Sequence, residues 1–227
     1  MTATPTAMPT ATTEAADQPV AERVARLSAL AKSSPAAARE EAWAWIAELS
    51  RRARRDRGDA LAELALLFRA GRPATGIDGP TDGALVTFTL QPAFDTAVAA
   101  LTTAWLPWAG KRFEAAAGSG DNLLLRSARI PAKLLWPRYT TRDAGRHLAA
   151  FDFETRVEPG ALDTDREVLV IDYAPVDANP ALVIKSIRDE LVEVVPGANL
   201  GKMLWRHGDG EPHSLLAYFA LRSEPAV

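Results

Sequence analysis

The spacing of apolar positions changes character once along the chain. Val20, Val24, Leu27 and Leu30 recur three or four residues apart, which predicts a helix from Val20 onward. Ser34 followed by Pro35 marks the start of a second helix, because proline at the first helical position gives up no needed hydrogen bond. That helix carries Trp43, Ile46 and Leu49 on one face and ends in Arg51, Arg52, Arg54, Arg55 and Arg57. Asp59 is placed to cap a third helix with Leu61, Leu64, Leu67 and Phe68 inward and Gly71 as its left-handed stop. From Gly71 to Gly83 the chain holds four glycines and two prolines, so residues 72–83 read as a linker.

Beyond the linker, strand-length runs replace the helical period. They are Ala84–Leu90, Trp108–Ala115, Asn122–Ser127, Ala149–Val157, Glu167–Tyr173, Arg188–Val195, Leu200–His207 and Ser214–Arg222. Pro-Gly at 159–160 and 196–197 and Gly-Asp-Gly at 208–210 punctuate them as hairpin turns. One short helix, Pro92–Leu106, interrupts the series with Phe94, Val98, Leu101 and Trp105 at helical spacing. Phe151, Phe153, Thr155 and Val157 share one strand face and Asp152, Glu154 and Arg156 the other, as a barrel with a lined interior requires. Val168–Tyr173 is apolar on both faces, which suits a strand covered outside by the N-terminal helices. The fold class is therefore mainly β with N-terminal α: an antiparallel barrel of seven or eight strands preceded by about three helices. Residues 1–18, rich in Thr, Ala and Pro, read as a disordered tail; 19–71 form the helical segment and 84–227 the barrel domain.

Composition narrows the function classes. The 227 residues are 48% hydrophobic and 24% charged, enough for a sizeable core, and no stretch approaches the roughly 20 apolar residues of a membrane span. A net charge of −3 argues against nucleic-acid binding through bulk positive charge. Residues 1–80 carry 11 basic and 10 acidic side chains, so the helical half is no basic module. The absence of cysteine removes disulfides, thiolate metal sites and cysteine nucleophiles. Three histidines leave little for a multi-histidine metal centre, and no metal is expected. There is no phosphate loop, GxSxG elbow, HExxH or EF-hand spacing, so no cofactor is expected either. Gly118-Ser119-Gly120 opens no helix and reads as a turn. Without a charged, apolar-cored leader at the N-terminus, the expected location is the cytoplasm.

Several residues remain as candidates. His207 and His213 flank a turn that would let them approach each other across a hairpin, with Asp209 or Glu211 as an oxygen ligand, but Asp-Gly signals an exposed turn before a metal site. The arginine run suits a solvated helix end, and Trp43 and Trp45, two apart, place one indole in the core and leave the other for the barrel or a protein partner. On the strands, Trp108, Lys111 and Phe113 stand with Gly110, which permits a bulge or close backbone approach. Arg222 ends the last run, where a guanidinium can stack on an indole from the first and close one barrel end. Asp172, Tyr173, Lys202 and Tyr218 are the acid–base candidates, since a lysine or carboxylate in an apolar barrel has a shifted pKa. Tyr139 is the remaining tyrosine able to donate to a carbonyl oxygen.

Trp108 to Phe113, followed by Asp121-Asn122-Leu123-Leu124, resembles the GXWXG family of uncharacterised bacterial proteins. The stretches Val170–Tyr173, Asp189–Val194 and Leu200–Met203 are similar to that family's second half. The tryptophan of the first long strand and Arg222 of the last resemble those of lipocalin-like, or calycin, barrels. These resemblances cover residues 72–222 and imply a barrel with a ligand cavity and no particular activity. The expected function is binding of a hydrophobic small molecule, such as a lipid, polyketide or terpenoid, in the barrel. Trp108, Lys111, Phe113, Phe153, Tyr173, Lys202, Tyr218 and Arg222 are its expected contacts. The enzyme alternative is a cofactor-free cyclase or isomerase using Asp172 with Tyr173, or Lys202 with Tyr218. A third reading makes the N-terminal helices a docking module for a protein partner or a second copy.

Overall fold

The computed structural model describes residues 11–89, 107–181, 183–208 and 210–223; the expected helix Pro92–Leu106 lies outside them. Three helices come first: α1 (Ala11–Ser33), α2 (Pro35–Arg52) and α3 (Arg57–Ala70). The first begins inside the segment expected as a tail. Ser34 is the cap residue of α2 and Pro35 its first residue, with no side-chain capping bond. The cap of α3 is Asp56, whose carboxylate accepts the Asp59 N–H at 3.4 Å, so Asp59 lies within the first turn instead. Gly71 is extended (φ −74°) and not left-handed, because the chain runs straight on into a strand.

The strands are β1 (Arg72–Pro73), β2 (Gly79–Pro80), β3 (Asp82–Phe88), β4 (Trp108–Glu114), β5 (Ser119–Leu125), β6 (Arg142–Ala144) and β7 (His147–Pro159). They continue with β8 (Glu167–Asp172), β9 (Ile187–Val195), β10 (Ala198–Trp205) and β11 (Ser214–Arg222), and a short helix α4 (Arg129–Leu135) follows β5. All pair antiparallel in the order β2-β4-β5-β7-β8-β9-β10-β11-β3, with β1 beside β9 and β6 beside β7. Only Thr81 separates β2 from β3, so both ends of this order are one piece of chain and the sheet nearly closes into a barrel. At the seam, the Thr81 N–H and Oγ1 both donate to the Lys111 carbonyl at 2.8 Å, and Oγ1 accepts the Lys111 N–H at 3.1 Å. Gly110 (φ 151°) lies so close to the Thr81 carbonyl that a Cβ there would overlap it.

The sheet has 11 strands where seven or eight are expected. The additions are two- and three-residue pieces, two of them in the expected linker: Arg72 pairs with Glu193, and Gly79 with Phe113. Such pieces are too short to show a period, and Gly and Pro mask their pairing.

Two cores result. Leu169, Ile171, Leu191, Met203, Phe113, Phe153 and Phe219 fill the barrel. Val168, Val170, Val192, Leu200 and Ala220, on the opposite face, meet Leu27, Trp45, Ile46, Leu49, Leu64, Leu67 and Phe68 of the helices. The two apolar faces of β8 are thereby both used, and each large aliphatic or aromatic side chain so buried stabilises the fold by about 1.5–3 kcal/mol. Strand alternation gathers tight turns (115–118, 160–166, 196–197) at one barrel end. The other end receives the long connections 126–146, 173–186 and 206–213. Here Phe88, Trp108, Leu135, Tyr139 and Trp205 are only partly buried against the inner core.

Candidate functional site

Inside the barrel, toward the end with the long connections, four polar side chains converge. Lys111 of β4, Asn122 of β5 and Asp189 of β9 point inward, and Tyr173 follows β8. Lys111 and Asp189 are 0% exposed, Tyr173 1% and Asn122 2%. The Lys111 ammonium donates to Asp189 Oδ2 at 2.9 Å, to Asn122 Oδ1 at 2.9 Å and to the Tyr173 hydroxyl at 2.5 Å. That hydroxyl donates in turn to Asp189 Oδ2 at 2.8 Å. The Asn122 amide donates to the Phe151 carbonyl, and the Trp108 indole N–H donates to Asn122 Oδ1, both at 3.2 Å. Four rings surround the ammonium: Tyr173 at 5.2 Å, Phe153 at 5.3 Å, Phe219 at 5.5 Å and Trp108 at 5.8 Å from centroid to nitrogen. One oxygen is left over. Asp189 Oδ1 is buried and takes no hydrogen bond among the described residues.

Burial pushes the Lys111 amine below the usual lysine range, and the Asp189 charge opposes that shift. Burial, helped by the same carboxylate, drives the Tyr173 phenol well above the usual tyrosine range. The centre also rests on a backbone irregularity. Phe151 sits in β7 at φ 53°, a left-handed conformation rare for an aromatic residue, where the pairing with β5 shifts register. Its N–H donates to the Tyr139 hydroxyl and its carbonyl accepts from Asn122, so both groups freed from the ladder find side-chain partners.

Of the expected contacts, Trp108, Lys111, Phe113, Phe153 and Tyr173 come together here; Phe113 packs on Phe153 with ring centroids 5.4 Å apart. The others are elsewhere. Lys202 and Tyr218 occupy the outer face of the sheet, beneath the helices. The Lys202 ammonium pairs with Asp163, lies 4.2 Å from the Phe68 ring centroid and has no place in the interior. Asp172 faces away from Tyr173 and is held by Arg156 (2.9 Å), Arg206 (2.8 Å) and the Ala174 N–H (3.0 Å). Asp172 and Tyr173 are therefore not assembled as an acid–base pair. Lys202 and Tyr218 are direct cross-strand partners, with the ammonium 6.0 Å from the Tyr218 ring centroid, but outside the barrel interior. Arg222 lies at the opposite barrel end from Trp108; it stacks on Trp43 at 5.2 Å and pairs with Glu40 and Asp82. Val157, expected on the lined face, is 42% exposed because β7 runs past the inner core at the end with the tight turns. Trp45 is buried and donates to Glu63 at 2.8 Å, so it belongs to the joint between helices and barrel rather than to a docking face. His207 is partnered by Ser214 at 2.7 Å.

Asn122 and Asp189 escaped the sequence reading. The signal for Asp189 was its parity, since it alternates with the inward Ile187 and Leu191. For Asn122 there was no comparable signal, because apolar residues follow it without alternation.

The fold and this centre define a helix-covered antiparallel β-barrel with a buried Lys-Asp-Tyr-Asn cluster inside. No family model and no curated protein matches the chain. Among solved structures it is similar to a protein from Thermomonospora curvata, at 17% identity over 78% of this chain and 99% of that one, with a TM-score of 0.42. No helix among the described residues is long and apolar enough to cross a membrane.

Proposed function

We propose that the barrel binds a small apolar molecule that carries one hydroxyl or N–H donor. The observation that supports this is the unpartnered Asp189 Oδ1 inside a fully enclosed Lys–Asp pair. Such a pair costs more to bury than well-packed apolar side chains of the same volume, and a buried acceptor without a donor adds to that cost. A ligand donor on Oδ1 would remove the second penalty. Phe88, Trp108, Leu135, Tyr139 and Trp205, partly buried against the inner core at the nearer barrel end, are the apolar side chains that would have to part to admit the ligand.

The test is calorimetric titration with farnesol and with its methyl ether, which has no donor. The wild type binds the alcohol at least about tenfold more tightly, the worth of one net hydrogen bond. The double variant Lys111→Met, Asp189→Leu binds both alike. Equal affinities in the wild type, together with no co-purifying apolar molecule by native mass spectrometry, would overturn the reading.

The hydrogen-bonded run of Lys111, Tyr173 and Asp189 supports a second reading, a cofactor-free isomerase in which this cluster moves a proton. Recovery of a rearranged product from the bound pool separates it from simple binding.

A further inference from the structure

From Asn122 to Arg142 the chain has no acidic residue but five cations, in a protein whose net charge is −3. Arg126 pairs with Asp143, and Arg142 with Asp152 and Asp121. Arg129, Lys133 and Arg138 are exposed and make no ion pair among the described residues. On the same short helix, Ile130 and Leu134 are 72% and 77% exposed, and Leu125 just before it is 46% exposed. Ile130 and Leu134 are four apart, as are Arg129 and Lys133, so α4 carries an aliphatic stripe beside a cationic one. The helix is no loose end. Ala128 and Trp136 are buried in the inner core at the barrel's long-connection end and Ala132 is buried between them, which fixes the side of α4 that faces out. A shallow cleft of about 330 Å³ opens beside it, lined by Arg129, Lys133, Tyr139, Thr140 and Thr141.

We infer that α4 and its flanks are a docking surface for an anionic lipid bilayer, with Ile130 and Leu134 entering the acyl boundary. Arg129, Lys133 and Arg138 contact the headgroup phosphates. Exposed aliphatics flanked by unpaired cations are the signature of an interfacial helix. An RNA surface would account for the cations but would leave Ile130 and Leu134 in water. The inference stands independently of what the barrel holds.

The experiment is vesicle co-sedimentation of the full chain with equimolar phosphatidylcholine and phosphatidylglycerol, and with phosphatidylcholine alone. Binding is expected only to the anionic vesicles and is lost at high salt. Ile130→Ser with Leu134→Ser, and separately Arg129→Glu with Lys133→Glu, each lower it by about tenfold or more. All four positions are exposed, and an unchanged circular dichroism spectrum checks the fold of each variant. No binding, or equal binding to both vesicle types, overturns the inference. So does a wild type that dimerises through this face, with the serine variants monomeric, or one that binds an oligonucleotide and not vesicles.

Discussion

Lys111 and Asp189 place their charges 2.9 Å apart with neither side chain reaching solvent. A pair this deep is weak evidence of net stabilisation, yet removing one partner strands the other charge in an apolar interior. Lys111→Met or Asp189→Leu alone is expected to cost about 3–5 kcal/mol in denaturant unfolding. The double variant should recover most of that loss, because two apolar side chains need no partner. A double variant as unstable as the sum of the singles would mean that the pair itself holds the barrel together.

Lys111 and Tyr173 were legible before the structure because charged or phenolic groups among apolar strand positions stand out. Their partners were not, since Asp189 comes from β9 and Asn122 from β5, and only strand order decides which residues meet across a barrel. Lys202 shows the same limit from the other side. Its strand is buried on both faces, so alternation names two faces without saying which is inner. The helical covering was readable from β8, whose two apolar faces require it, whereas the seam formed by β2 and β3 was hidden in glycine and proline.

The joint between helices and barrel should be acid-labile through Asp163. Burial pushes its carboxyl up, but hydrogen bonds from Lys202 and Arg69 outweigh that and hold it below the usual range. A depressed native pKa contributes stability above the unfolded value of about 3.9, and that contribution fades as pH falls through the native value. Asp163→Asn is expected to cost about 2–4 kcal/mol at neutral pH, with the gap to wild type narrowing below about pH 4. A gap that stays constant through the acid range would remove Asp163 from the account.

All three tyrosines should resist alkaline ionisation. Burial raises Tyr139, Tyr173 and Tyr218 above the usual value, the last two with help from Asp189 and Asp163 respectively. Raised native values make the folded state lose stability as pH climbs above about 10, where the unfolded phenols ionise. Ultraviolet titration should therefore show little phenolate in native protein at that pH, then a single rise coinciding with unfolding. A smooth titration near the free-tyrosine value with the fold intact would contradict the burial of these rings.

Gly110 and Gly145 both have positive φ, 151° and 66°, but only Gly110 has backbone where a Cβ would go. Gly145→Ala should cost about 1–2 kcal/mol from conformation alone. Gly110→Ala adds the overlap with the Thr81 carbonyl at the barrel seam and should exceed it by about 2 kcal/mol or more. Similar unfolding midpoints for the two variants would show that the seam can open without cost.

Removing the helices should not leave a working barrel. Deletion of residues 1–70 would uncover Val168, Val170, Val192, Leu200 and Tyr218, which pack against α1, α2 and α3. It would also leave Lys202 and Asp163 without Phe68 and Arg69 beside them. A contiguous apolar face of that kind drives association. The expected outcome is a truncated chain that is insoluble or oligomeric, recovered as a monomer only when the helical segment is supplied as a separate polypeptide. A soluble, cooperatively folding monomer of residues 71–227 would instead make the helices a separable module and return weight to a docking role for them.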